Sequence, residues 1–104
     1  MSRIAMKMQL FKGFEEEYKR RHTAIWPELK ALLKERGISQ YSIWLDEETL
    51  TLFACFYSED PELLDDLPEH EVMKKWWTYM KDIMATNADE SPVSVPLKEV
   101  FYLE

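Results

Sequence analysis

Residues 50–57, Leu-Thr-Leu-Phe-Ala-Cys-Phe-Tyr, carry apolar side chains on both faces of any strand they form. Alternation puts Leu50, Leu52, Ala54 and Phe56 on one side and Thr51, Phe53, Cys55 and Tyr57 on the other. A strand with two apolar faces needs cover from both. It therefore belongs inside a sheet, and both faces of that sheet have to be occupied.

The flanking segments supply the other elements. Residues 3–10 alternate cleanly, with Ile4, Met6, Met8 and Leu10 facing one way and Arg3, Lys7 and Gln9 the other, which predicts a strand. Residues 14–22 and 27–36 predict a helical region in two pieces. Pro27 divides it, because proline lacks an N–H and pushes the preceding Trp26 out of the α region. Pro27 also suits a first helical turn, Gly37 is placed to cap the end, and Leu29, Leu32 and Leu33 form the buried stripe. Residues 38–45 predict a second strand, with Tyr41, Ile43 and Leu45 on one face and Ser42 and Trp44 on the other. The polar turn Asp46-Glu47-Glu48-Thr49 then returns the chain as a hairpin. A short helical turn is expected within 61–67, followed by a main helix over 69–84 with Val72, Trp76, Tyr79, Met80 and Ile83 on one face. An irregular segment holding Pro92 and Pro96 leads to a last strand over 97–103.

The order β-α-β-β-α-β is the ferredoxin-like arrangement, an α+β fold with helices on one face of a four-stranded antiparallel sheet. A single domain over residues 1–104 is expected. The second sheet face then has no cover within the chain, and an apolar face of that size is rarely left bare. A two-fold homodimer with sheet packed on sheet, a dimeric α/β barrel, is the economical solution.

Several function classes fall away on charge and residue usage. The net charge is −7, and no basic cluster exceeds Lys19-Arg20-Arg21, so no stripe exists to displace nucleic-acid counterions or to hold an anionic membrane. No apolar run approaches the ~18 residues of a membrane span. The N-terminus alternates instead of forming a signal-peptide core, and the lone Cys55 fits a reducing compartment, so a cytoplasmic protein is expected. Gly13 and Gly37 are too few for a dinucleotide fingerprint or a phosphate-cradling loop. His22 and His70 are far apart with no ligand-spaced partner, so neither a metal nor another cofactor is expected.

The chemistry-bearing stretch is Tyr18-Lys19-Arg20-Arg21-His22-Thr23-Ala24-Ile25-Trp26-Pro27. Residues four apart share a helix face, so Tyr18 and His22 project side by side where Pro27 interrupts the helix. The alternative is an ordinary amphipathic helix with a satisfied histidine. Trp76 and Trp77 are adjacent on a helix and point about 100° apart, so one is expected in the core and the other nearer a pocket. Arg20 and Arg21 read as a solvated or ion-paired face, and His70, between Glu69 and Glu71, as surface.

Glu16-Glu17-Tyr18, Arg20-Arg21-His22, Ile25-Trp26-Pro27-Glu28-Leu29, Trp76-Trp77-x-Tyr79-Met80, Ser91-Pro92-Val93-Ser94 and Glu99-Val100-Phe101-Tyr102-Leu103 together resemble the L-rhamnose mutarotase family from end to end. The resemblance implies a dimeric α/β barrel that interconverts the α and β anomers of L-rhamnose. It implies His22 as the proton donor, with Tyr18, Tyr41, Trp76 and Trp77 as sugar contacts. The family commonly has Asn-Pro where this chain has Thr23-Ala24 and Asn87-Ala88.

The residues suit that chemistry on their own terms. Opening a hemiacetal requires one group to protonate the ring oxygen and another to take the anomeric hydroxyl proton. Histidine titrates near neutrality and serves both directions of a reversible step. Tyr18, a carboxylate or a water could complete the pair. Aromatic faces cover the C–H surface of a pyranose while phenol and indole groups bond its hydroxyls. Two rivals share the scaffold: a cofactor-free monooxygenase, which would consume oxygen with an aromatic substrate, and a non-catalytic sugar-binding module.

Overall fold

The structure, a computed structural model, describes residues 2–104. Strand β1 (Ser2–Gln9) leads into helices α1 (Glu15–Thr23) and α2 (Pro27–Glu35), then the hairpin β2 (Ile38–Asp46) and β3 (Thr51–Ser58). Two 3-10 turns, Pro61–Leu64 and Leu67–Glu69, precede α3 (Glu71–Met80), and β4 (Val95–Pro96) closes the order. The sheet is antiparallel with strand order β2-β3-β1-β4, the ferredoxin-like topology.

The break between α1 and α2 forms as the proline rule requires. Trp26 is extended, with φ −60° and ψ 133°, and its carbonyl accepts the first bonds of α2 from Leu29 and Lys30. Gly37, at φ +78°, receives the chain from α2, and its N–H donates to the Lys34 carbonyl at 3.0 Å. A Cβ added there would come within 2.9 Å of the Glu59 Cβ. Both the backbone conformation and the space therefore call for glycine.

The helices pack on one sheet face. Met8, Leu10, Leu52 and Ala54 from the strands share a core cluster with Leu29, Trp76 and Met80. Leu10, Leu29, Leu52, Met80 and Ile83 are fully buried, and each such side chain contributes about 1.5–3 kcal/mol through burial.

Three expectations fail in part. The main helix ends at Met80 rather than residue 84. Met80, Ile83 and Met84 are all buried, so the apolar spacing continues. The backbone, however, turns more tightly, with the Ile83 N–H bonding the Met80 carbonyl at 3.1 Å. The groups beyond serve β1: Phe11 N–H donates to the Ile83 carbonyl and Ala85 N–H to the Gln9 carbonyl, both at 2.9 Å. The last strand forms at Val95–Pro96, ahead of the expected 97–103. No residue of that range joins a strand, and only the Leu97 N–H still reaches the sheet, bonding the Ala5 carbonyl at 2.9 Å. Pro96 offers no donor, and Val100 and Phe101, 89% and 78% exposed, extend past the sheet. His70, expected at the surface, is half-buried, and its Nε2 accepts from the Arg36 guanidinium at 2.8 Å.

Strand β2 carries an irregularity that alternation alone does not show. Ser39 pairs with Tyr57 but Ser42 with Cys55, so Gln40 and Tyr41 together stand opposite Phe56, a β-bulge. Gln40 takes φ +51°.

Candidate active site

Helices α1, α2 and α3 and strand β2 line an open cavity of 860 Å³ on the covered sheet face. Tyr18 and His22 enter it from α1, Trp76 from α3 and Tyr41 from β2. Four of the five residues nominated from sequence thus come together. Trp77 is not among the lining residues; it is half-buried and packs against the core from another side.

His22 is held on three sides. Its ring stacks on Tyr18 at 4.3 Å between centroids, and the edge contact with Trp76 is 5.4 Å. Nδ1 lies 3.0 Å from the Tyr18 carbonyl oxygen, which can only accept. Nδ1 therefore carries the proton and donates. Among the described residues nothing hydrogen-bonds Nε2, so the lone pair of the neutral ring is available to the cavity. Burial lowers the His22 pKa below its ordinary value of 6.5, and the bond to the Tyr18 carbonyl opposes this only partly. The imidazole is neutral at pH 7.

The two phenols shift the other way. Burial raises the Tyr18 pKa strongly, with a smaller contribution from Tyr41. Tyr41, which stays 43% exposed, is raised as well by the desolvation of its ring's surroundings. Both keep their protons at neutral pH and can donate. Tyr41 stacks on Phe56 at 5.0 Å, which fixes its ring on the cavity wall. Glu15, Glu16 and Glu47 add exposed carboxylates at the rim.

Behind the cavity, aromatic packing continues from Trp76 to Trp26 at 5.1 Å and from Trp26 to Tyr79 at 5.5 Å. Arg21 anchors this layer. It is buried and donates to Glu17 at 2.7 Å, to the Tyr79 carbonyl at 2.7 Å and to Asp82 at 3.0 Å, with its guanidinium 4.3 Å above the Tyr79 ring. The ion-paired reading of this residue holds, but as a buried tie between α1 and the end of α3. Arg20 is the solvated member and bonds Glu17. Together the two arginines hold the Glu17 pKa down to about 2.

Sequence reasoning did not nominate Ile25, Gln40 or Met73, which also line the cavity. The signal for Gln40 lay in Ile38 and Ile43. Both face the helices although they stand an odd number of positions apart, which an unbroken strand forbids. Among the described residues no group of three or more His, Cys, Asp or Glu side chains is placed to hold a metal, and no helix is long and apolar enough to cross a membrane.

Comparison with known proteins extends over the whole chain. A family model described as L-rhamnose mutarotase matches residues 3–103. An L-rhamnose mutarotase of Sinorhizobium fredii is 57% identical over 103 residues, 99% of each chain. One from Bacteroides thetaiotaomicron is 54% identical over the full length of both. A crystal structure of L-rhamnose mutarotase from Formosa agariphila superposes with a TM-score of 0.94 at 54% identity, covering 100% of both chains.

Proposed function

The chain belongs to the L-rhamnose mutarotase family and is an isomerase that interconverts the α and β anomers of L-rhamnose, and we propose that His22 moves the proton in that reaction. In this reading Nε2 of the neutral ring takes the anomeric hydroxyl proton as the hemiacetal opens. A phenol of Tyr18 or Tyr41, or a water, protonates the ring oxygen. After the aldehyde end rotates, the C5 hydroxyl attacks the carbonyl carbon from the other face, giving its proton back to the phenolate or hydroxide. The imidazolium meanwhile returns its proton to the carbonyl oxygen. His22 is thus acceptor on opening and donor on closure, and no net proton is consumed. The observation that carries the reading is the bond from Nδ1 to the Tyr18 carbonyl, which fixes the tautomer and leaves the second nitrogen to the cavity.

Tyr18, Tyr41 and Trp76 are the sugar contacts in this proposal, because their rings line the cavity beside His22. General acid–base assistance contributes roughly 10²–10⁴-fold. NMR saturation exchange between the L-rhamnose anomeric protons tests the assignment. The wild type should exchange faster than buffer, and His22→Ala should lose about 10²-fold or more of that excess. A wild type no faster than buffer overturns the activity; a fully active His22→Ala overturns the site alone.

We further propose a homodimer that buries the outer sheet face. Trp44 is 70% exposed and Phe53 39% exposed there, and the apolar segment from Val100 to Leu103 extends nearby without a strand partner in this chain. Size-exclusion with light scattering at micromolar concentration should give twice the chain mass, and a monomer contradicts the proposal. The free, half-buried Cys55 suits a reducing cytoplasm, the proposed location.

A further inference from the structure

The β2 bulge decides which way Tyr41 points. Continuing the pairing from Ser39 opposite Tyr57 without interruption would set Gln40 against Phe56 and Tyr41 against Cys55. Tyr41 would then stand on the outer sheet face with Phe53, away from the helices. Ile43 would move to the same face, because a one-residue slip exchanges every side chain between faces. With Gln40 and Tyr41 sharing the position opposite Phe56, Ser42 meets Cys55 and Ile43 meets Ala54. The phenol consequently lines the cavity and stacks on Phe56 at 5.0 Å.

The geometry has a local cost, and it falls on one residue. Gln40 holds φ +51°, the left-handed region that glycine enters freely and other residues resist. We propose that Gln40 is a positioning residue: as the left-handed member of the bulge, it aims the Tyr41 phenol at the sugar. This rests on the reading of Tyr41 as a sugar contact. Strain kept next to a binding wall is expected where the surrounding structure over-determines it. Here the pairing of Ile38 with Ser58 before the bulge and of Ile43 with Ala54 after it supplies that constraint.

Substitutions at position 40 separate this role from two others. KM for anomer exchange should follow tolerance of a left-handed φ, lowest for Gln40→Gly and Gln40→Asn, higher for Gln40→Ala and highest for Gln40→Val. The spread from glycine to valine should be roughly three- to tenfold, the worth of one aimed hydrogen bond. The kcat and its pH profile should move less than KM, because His22 stands on α1. If the valine variant does not fold, alanine against glycine carries the same comparison. KM values that follow side-chain polarity, with glycine as poor as valine, would make Gln40 a direct sugar contact and overturn the positioning role. Equal KM values across the series overturn it too. The ring-current shift on Phe56 from the stacked Tyr41 should shrink in the same order, and an unchanged shift in the alanine and valine variants contradicts the inference. Tyr41→Ala is the control. If it leaves KM unaltered, the sugar-contact reading of Tyr41 fails, while the Phe56 shift still reports whether Gln40 aims the ring.

Discussion

The two faces of the sheet are built from similar side chains and end in opposite states. On the helix side Leu52, Ala54 and Phe56 of β3 are buried. One residue along, Phe53 is 39% exposed, and its cross-strand neighbour Trp44 is 70% exposed. Apolar alternation states that a face needs cover; it does not state who supplies it. The helix face is completed by this chain, and it holds the cavity with Tyr18, His22, Tyr41 and Trp76. The proposed second copy is what completes the other face.

Substitutions at consecutive positions of β3 break or sharpen this contrast most strongly. Leu52→Ala should cost about 2–5 kcal/mol in denaturant unfolding, as a fully buried leucine does. Phe53→Lys should instead shift the oligomeric mass toward monomer at accessible concentrations. If both variants lose only stability and the mass never changes, the outer face is not an interface. A somewhat smaller effect is expected behind the cavity. Arg21→Met severs a buried tie to Glu17, Asp82 and the Tyr79 carbonyl and should cost about 2 kcal/mol. A loss below about 0.5 kcal/mol would make it an ordinary surface pair.

Adjacent tryptophans allow a finer cut within the helix face. Trp76→Ala should raise KM by about tenfold, or ~1.4 kcal/mol. Trp77→Ala should act more on melting temperature than on KM, since its ring lies off the cavity wall. Equal KM effects would place both rings against the sugar. The smallest effect is on pH. Because burial depresses the His22 pKa, the unfolded chain binds the extra proton first. His22 therefore contributes stability that is complete above about pH 6.5 and is lost as pH falls from there through its folded value. The wild type should lose more stability between pH 7 and 5 than His22→Gln. The Glu17 carboxylate, held near 2, follows the same sign at lower pH: its contribution is present above about 4.5 and fades toward 2.

What was legible in the sequence is what local chemistry determines. Pro27 predicts the extended Trp26, Gly37 the left-handed end of α2, and the spacing of Tyr18 and His22 their stacked rings. What stayed hidden depends on partners distant in the chain. The apolar spacing through Ile83 and Met84 serves a tight turn bonded to β1, not more helix. The alternation in 97–103 finds no neighbouring strand after Leu97. Arg36 reaches across 34 positions to His70, and no local rule couples those two residues. At the site, residue types and helix spacing placed Tyr18 and His22. The fact that Trp76 faces the cavity while Trp77 does not depends on the rotation of α3 against the sheet, which adjacency alone leaves open.

The most direct test of a neutral imidazole working from the covered face is to titrate His22 by NMR beside the pH profile of kcat/KM for L-rhamnose anomer exchange. The account predicts a His22 pKa below 6.5, with Nδ1 protonated in the neutral ring, and an acid limb of kcat/KM at that same pKa. A His22 pKa at or above 6.5, or an activity profile that ignores it, would contradict the account.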